Sequence, residues 1–128
     1  LDFKSSIEAD RLEKYDFDFL MYIIYDRPKS FRKNDIDHIF PKSLLEEDSY
    51  DWDVINSVGN FQLLDSSTNR GNKSAKPFKE WTNNLPNKAT YLKEHLIPID
   101  ESVWENNKFL EFIDNRALMI VNKLKEPI

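Results

Sequence analysis

DIDHIFPKS (residues 35–43) and VGNFQLLDSSTNRGNKS (residues 58–74) are the two stretches that decide the fold of this chain. Polar and apolar residues alternate over Asn34–Phe40, which predicts a short strand, and Val58–Leu64 predicts a second one. The polar side chains that follow offer N-caps for a helix beginning around Ser66. The two stretches therefore predict a strand, a loop, a strand and a helix in that order.

The segments outside these stretches are predicted to be mostly helical. Ile7–Asp26 predicts a helix whose second half is almost wholly apolar and therefore buried, although its run FDFLMYIIY also fits a buried strand. Apolar spacing predicts a long C-terminal helix over Ser102–Lys125. Shorter elements are expected at Lys76–Asn83 and Ala89–Leu96 (helical turns) and at residues 42–56 (an acidic loop with at most a short helical turn). The expected fold class is α+β, mostly helical, with a two-stranded antiparallel hairpin flanked by long N- and C-terminal helices.

Length and composition indicate a single globular domain. A length of 128 residues fits one domain with a sizeable core, and 40% of the residues are hydrophobic. Because no stretch reaches the roughly 18 uncharged apolar residues of a membrane span, no membrane partner is expected. The absence of cysteine excludes disulfides and thiolate metal sites, and it favours a cytoplasmic location. The chain starts at Leu1 without Met, which we interpret as a piece of a longer protein.

Charge is distributed unevenly along the chain. The net charge of −5 argues against a bulk electrostatic grip on nucleic acid, and a mixed, solvated surface is the plain interpretation. However, Arg27–Lys42 contains five basic and two acidic residues, and Arg70–Lys93 contains six basic residues and one acidic residue. These two basic stretches flank the residues with the most informative chemistry.

Asp37, His38 and Asn69 carry that chemistry. Adjacent residues on a strand point to opposite faces unless the strand ends there, and Pro41 indicates that it ends nearby. Carboxylate and amide oxygens are hard ligands that suit Mg²⁺, and a neutral histidine accepts a proton from water near pH 7. Each residue alone has an ordinary interpretation, because Asp-His pairs are common on surfaces and an Asn near a helix start is usually a cap. Their order predicts a phosphodiester hydrolase.

The same motifs resemble a known family. DxDHIxPxS, then GNxxLL, then NRGNKS is similar to the HNH, or His-Me finger, endonucleases. Asn60–Lys73 is similar to the matching part of the HNH domain in RNA-guided CRISPR endonucleases. The surrounding helices and FIDNRALMIVNKL look more like the C-terminal nuclease domain of GmrSD-type, modification-dependent restriction enzymes. The resemblance implies a ββα-metal core over about residues 34–80 of a single domain covering residues 1–128.

The resemblance also implies residue roles. His38 would be the general base, and Asn60 would belong with it in the catalytic group by holding the loop and strand that position it. Asp37 and Asn69 would bind Mg²⁺ or Mn²⁺. Three basic residues would contact nucleic acid: Arg70, Lys73 and Lys42. The chain departs from many HNH enzymes in having Asn rather than His at position 69 and in lacking cysteine pairs for a structural zinc.

The expected function is that of a metal-dependent endonuclease domain that hydrolyses DNA in a bacterial restriction or phage-defence protein. Its partner would be an N-terminal NTPase or recognition domain of the same protein. The alternative is a catalytically inactive HNH-like module that binds nucleic acid or protein. Among the remaining residues, His95 is expected at the surface or half-buried, Trp81 and Trp104 in the core, and Trp52 alone among the tryptophans in a surface role.

Overall fold

The computed structural model describes residues 12, 15–25, 35–64, 73 and 75–125. Within them the helices are α1 (Phe17–Tyr25), α2 (Lys42–Glu47), α3 (Trp52–Ile55), α4 (Phe78–Asn83), α5 (Lys88–Glu94) and α6 (Phe109–Leu124). The strands are β1 (Asp35–His38) and β2 (Phe61–Leu64), and 3₁₀ turns lie at Val58–Asn60, Glu101–Val103 and Asn106–Lys108. A mostly helical α+β fold with two antiparallel strands confirms the fold class. The helix predicted from Ser66 falls outside the described residues.

The two strands pair antiparallel, from Asp35 opposite Leu64 to His38 opposite Phe61. One further backbone hydrogen bond, from Ile39 N to Asn60 O at 2.7 Å, continues the pairing beyond β1. The predicted second strand was too long, because residues 58–60 form a 3₁₀ turn. The Ser57 side chain caps that turn by accepting a hydrogen bond from Gly59 N at 3.4 Å. The register places Asp37 and His38 at the end of β1.

Helix α6 joins two hydrophobic clusters. Its first half packs into an aromatic cluster that includes Phe40, Phe78, Trp81, Trp104, Phe109 and Phe112. Its second half packs against α1 and β2 through Leu20, Met21, Ile24, Leu63, Ala117 and Ile120. Fully burying one side chain of this size stabilises a fold by about 1.5–3 kcal/mol. The burial of Trp81 and Trp104 confirms their predicted place in the core, and Trp52 lies at the surface with 67% of its area exposed.

Gly59 brings the 3₁₀ turn directly against α6. A Cβ atom at this position would lie 2.8 Å from the Ile113 carbonyl oxygen and 3.0 Å from its Cβ. A side chain would therefore push the turn away from the helix, and the start of β2 would move with it. The position of the strand pair relative to α6 depends on this glycine.

The N-terminal helix differs from its prediction. Leu12 is helical, but Tyr15 and Asp16 are not, so Ile7–Asp26 does not form one continuous helix. Helix α1 is also less buried than its apolar run predicted, since Phe19 and Tyr22 are 42% and 44% exposed. Only one face of α1 packs against α6, and the opposite face stays at the surface. Among the described helices, none combines the length and apolar character needed to cross a bilayer.

Two further segments correct the predictions. Residues 42–56 contain more helix than the predicted loop with a short helical turn, because they form α2 and α3, which bury Leu45 and Ile55 respectively. The long C-terminal helix begins at Phe109 rather than at Ser102, because two 3₁₀ turns precede it. In this region the Trp104 Nε1–H donates to the Pro98 carbonyl at 2.8 Å, which holds the indole in the core. In both places tertiary packing outweighs local sequence preference.

Candidate active site

The Asp37 carboxylate is held from two sides through one oxygen. Its Oδ2 accepts a hydrogen bond from Gln62 Nε2 at 3.1 Å and lies 3.3 Å from the Lys73 ammonium. The Asp37 side chain is 15% exposed, so solvent reaches it. Both contacts come from residues distant in sequence, and the side chain is therefore fixed only in the folded chain.

Lys73 is a buried cation beneath β1. Its side chain is 1% exposed, and its Nζ donates to the His38 carbonyl at 2.8 Å and lies 5.5 Å from the centre of the Trp81 ring. Burial lowers the pKa of Lys73, and the neighbouring Asp37 carboxylate partly offsets that effect. A side chain this buried does not present its ammonium to a substrate phosphate. Its contacts instead fix the Asp37 side chain and the backbone of His38 relative to each other.

Gln62 connects Asp37 to helix α5. This fully buried side chain donates to Asp37 through Nε2, and its Oε1 accepts a hydrogen bond from the Tyr91 hydroxyl. Burial raises the pKa of Tyr91 well above its usual value, so the hydroxyl keeps its proton at neutral pH. The tyrosine therefore orients the Gln62 amide, with its N–H toward the carboxylate.

His38 is held through its ring. Its Nε2 lies 2.8 Å from Asn56 Oδ1, and the Asn56 Nδ2 donates to the Trp52 carbonyl at 3.1 Å. The Phe61 ring packs against the imidazole with ring centroids 4.9 Å apart. The imidazole is half-buried, so it remains reachable from solvent. Asn56 was not among the residues that the sequence singled out.

Asn60 clamps the chain just after β1. The Asn60 Oδ1 accepts from Phe40 N at 2.8 Å, while its Nδ2 donates to the Phe40 carbonyl at 3.2 Å and to the Ile55 carbonyl at 3.0 Å. The side chain is completely buried. Its amide oxygen and both of its N–H groups thus contact backbone, which is the geometry of a structural clamp. The clamp ties the exit of β1 to the end of α3, which precedes Asn56.

The described residues include one of the two predicted metal ligands, Asp37. Over the described ranges there is no group of three His, Cys, Asp or Glu side chains that could hold an ion. Asp37 supplies one hard oxygen donor, and its described partners both use Oδ2. The other predicted ligand, Asn69, and the predicted phosphate contact Arg70 lie outside the described residues. One carboxylate with water as the other ligands fits the way proteins bind Mg²⁺.

The comparison with known families identifies the chain. A model of the GmrSD restriction endonuclease C-terminal domain matches residues 2–123. The chain belongs to this family. The resemblance to GmrSD-type nuclease domains inferred from the sequence is therefore confirmed, and the family implies a restriction endonuclease domain that acts on DNA. No curated protein and no solved structure matches it significantly.

The GmrSD-type domain also contains a second buried cation. Arg116 is 0% exposed and donates to four backbone carbonyls, those of Val58, Gly59, Phe61 and His95. Burial lowers its pKa, and the nearby tyrosine hydroxyls oppose that effect. The sequence does contain a sign of this role, since Arg116 falls on the same face of α6 as Ile113, Ala117 and Ile120. Arg116 holds the 3₁₀ turn and β2 to the core.

His95 lies in that core rather than at the site. Its Nδ1 lies 2.7 Å from the Tyr25 hydroxyl, and its ring packs against Tyr91 with centroids 4.5 Å apart. Burial, and then the Arg116 charge, lower the pKa of His95 to about 3. The ring is therefore neutral at physiological pH. It is half-buried, as predicted, and its contacts are structural.

A shallow pocket adjoins the residues that hold His38 in this GmrSD-type domain. The pocket has a volume of about 150 Å³, and its lining includes Asn56, Phe61, Phe17, Tyr15 and Asp53. Lys42, the third predicted nucleic-acid contact, is exposed at the start of α2. Within the described part of the site, a small pocket thus adjoins Asn56 and Phe61, and an exposed cation lies on the helix that follows β1.

Proposed function

We propose that this domain is the metal-dependent, HNH-type DNA-cleaving domain of a bacterial restriction protein that acts in the cytoplasm against phage DNA. One observation carries the proposal. Adjacent residues at the end of β1, Asp37 and His38, each have their own set of fixed partners and both remain accessible to solvent. A carboxylate and an imidazole are the types of group that metal-assisted phosphodiester hydrolysis needs from the protein.

The proposed roles follow from the chemistry of each group. His38 takes a proton from the attacking water, for which a neutral imidazole is suited near pH 7. Asp37 would hold Mg²⁺ or Mn²⁺ together with Asn69, and the bound ion would offset charge developing on the phosphate and the leaving 3′ oxygen. Lys73 and Gln62 keep the Asp37 carboxylate in place. Because water is the nucleophile, the reaction needs no 2′-hydroxyl, and DNA is a suitable substrate.

Substrate recognition would be shared. Lys42 is exposed and Arg70 belongs to the basic stretch after β2, so we assign both to phosphate contacts. The acidic net charge of −5 provides no general attraction for DNA. An N-terminal NTPase or recognition domain of the same protein would therefore deliver the substrate, and the domain described here would cut it.

Plasmid nicking tests the proposal. The chain is incubated with supercoiled DNA and Mg²⁺ or Mn²⁺, and the wild type is compared with His38→Ala. Removal of a general base lowers the rate by about 10²–10⁴-fold, so nicking should fall at least 100-fold. Lys125→Ala, an exposed residue at the end of α6, is the control and should nick like the wild type. Equal nicking by wild type and His38→Ala would refute the assignment of His38.

One observation favours a second candidate, a module that keeps this scaffold without cleaving. The Lys73 ammonium already neutralises the Asp37 carboxylate at 3.3 Å, which weakens its attraction for a cation. Titration with Mn²⁺ separates the two functions. A Mn²⁺ site that disappears in Asp37→Ala supports the nuclease. DNA binding that is unaffected by metal, in a chain that binds no Mn²⁺, supports the module.

A further inference from the structure

The orientation of the Asn56 side chain is determined by its surroundings. A carbonyl oxygen only accepts hydrogen bonds, so the Asn56 atom 3.1 Å from the Trp52 carbonyl must be the Nδ2 that donates to it. The other end of the same amide, Oδ1, then faces the imidazole of His38 at 2.8 Å. Rotating the amide by half a turn would set two oxygens against each other at Trp52. The backbone of α3 thus fixes which Asn56 atom the histidine meets.

This orientation has a consequence for the His38 ring. An amide oxygen has no hydrogen to donate, so a hydrogen bond to it requires a proton on His38 Nε2. A neutral imidazole carries one N–H, and Nδ1 is then the nitrogen with the free lone pair. The Phe61 ring, with its centroid 4.9 Å away, further limits rotation of the imidazole. The contacts of one side chain therefore select one of the two neutral forms of the ring.

We propose that Asn56 is a positioning residue that holds His38 in its Nε2–H form, so that Nδ1 receives the proton from water. This rests on the proposed function, in which His38 is the general base. Once Nδ1 has taken the proton, the ring is an imidazolium whose Nε2–H still donates to Asn56 Oδ1. The amide oxygen therefore stabilises the charged product of the proton transfer as well as orienting the reactant.

A second asparagine, Asn84, provides a matched control for this role of Asn56. Asn84 ends helix α4 as Asn56 ends α3, and its Nδ2 donates to the Glu80 carbonyl at 3.1 Å, again four residues earlier. The local helix-ending contact is therefore the same at both positions. Asn56 differs in placing its oxygen on His38. Any effect found at Asn56 and not at Asn84 belongs to the contact with the histidine.

The first experiment reads the tautomer directly. Long-range ¹H–¹⁵N correlation spectra of the metal-free chain, recorded without DNA at mildly alkaline pH, distinguish protonated from unprotonated ring nitrogens. In the wild type, His38 Nε2 should be the protonated nitrogen and Nδ1 the unprotonated one. In Asn56→Ala the two shifts should move toward each other as both neutral forms become populated. Asn84→Ala should give the wild-type spectrum, and Asn56→Asp, which keeps an acceptor, should largely restore it.

The second experiment measures turnover for the same variants. Loss of a partner that orients an active-site group commonly costs about 10–100-fold, and we expect that loss in kcat for Asn56→Ala, with unchanged KM for DNA and unchanged Mn²⁺ affinity. Asn84→Ala should retain wild-type kcat, and Asn56→Asp should recover part of the loss. A wild-type ring protonated at Nδ1, or unchanged shifts in Asn56→Ala, would overturn the proposal. Equal DNA cleavage by the wild type and His38→Ala, together with the expected shifts, would refute the proposed function alone, because the spectra need neither metal nor substrate.

Discussion

Two buried cations of the described structure, Lys73 and Arg116, are accommodated in different ways. Lys73 is paired with a carboxylate, Asp37, and its remaining contacts are the His38 carbonyl and the face of Trp81. Arg116 has no such carboxylate among the partners described for it. Its guanidinium instead donates to four backbone carbonyls. Lys73 thus supports the candidate site, and Arg116 supports the backbone of the fold.

The difference follows from the shapes of the two groups. A guanidinium presents five N–H donors in a rigid plane, which suits several carbonyls that diverge from one another. An ammonium is a compact charge, which suits one carboxylate and one carbonyl at close range. Arg116 therefore holds three parts of the backbone together: the 3₁₀ turn at Val58 and Gly59, the start of β2 at Phe61, and His95. Lys73 fixes the relation between the Asp37 side chain and the backbone of the adjacent His38. Arg116 thus mainly stabilises the fold, and Lys73 mainly sets the geometry of the site.

The largest expected effect comes from removing the Arg116 fork. Arg116→Met leaves the carbonyls of Val58, Gly59, Phe61 and His95 without this donor in the interior, and we expect a loss of about 3–5 kcal/mol in the free energy of unfolding. Urea denaturation followed by circular dichroism measures it. Arg116→Lys should not restore the loss, because one ammonium cannot span these carbonyls. Lys125→Met, an exposed control just after the end of the same helix, should change stability by less than about 0.5 kcal/mol.

An intermediate effect is expected at Lys73. A double-mutant cycle with Lys73→Met and Asp37→Asn should give a coupling free energy of about 1–2 kcal/mol, because each single change leaves a charged partner unpaired, either the buried Lys73 or the half-buried Asp37. Unfolding in urea measures the stability of all four proteins. The double variant should be more stable than the sum of the single losses predicts. Additive losses would show that the 3.3 Å contact contributes no measurable pairing energy.

The smallest effect, when it is measured over a single pH unit, is expected in the pH dependence near Arg116. Burial and the Arg116 charge lower the pKa of His95 from 6.5 to about 3, so between these values the unfolded chain binds more protons than the folded one. Stability from this group is therefore complete above about pH 6.5 and is lost as the pH falls toward 3. In that window the unfolding free energy should fall by about 1.4 kcal/mol per pH unit more in the wild type than in His95→Gln. Equal slopes for the two proteins would contradict the lowered pKa.

Apolar spacing predicted the elements that pack with one face inward. The sequence located the helical turn with Phe78 and Trp81 inside and the last turns of α6, because each of these elements buries an apolar stripe. It located β1 from the alternation of polar and apolar residues, although Ile36 is 56% exposed. For residues 42–56 it predicted mainly a loop. The two helices there are short and acidic, so they are unstable by themselves and depend on the tertiary contacts of Leu45 and Ile55. The start of α6 was predicted too early. The spacing of the apolar residues does not distinguish the 3₁₀ turns before the helix from a continuation of the helix itself.

The candidate site was predictable to the extent that it follows from motif residues. Asp37, His38 and Asn60 stand out in the sequence as an Asp-His pair and a GN dipeptide, and the structure places them around the end of β1. Their partners did not stand out in that role. Asn56 is an ordinary residue at the end of a short helix, and Lys73 was expected to contact nucleic acid rather than Asp37. Such contacts depend on which segments meet in three dimensions, and local sequence carries little information about that.

The strand pairing at His38 has a consequence for the order of folding. The partner of His38 in the sheet is Phe61, so residues 39–60 must close as a loop before the two strands meet, at an entropic cost of about 3 kcal/mol. The described contacts of Asp37 and of the His38 ring come from that loop, from β2 or from beyond it. A chain emerging from the ribosome therefore presents the two residues long before it presents their supports. We expect Asp37 and His38 to acquire the contacts that hold them only with the completed fold.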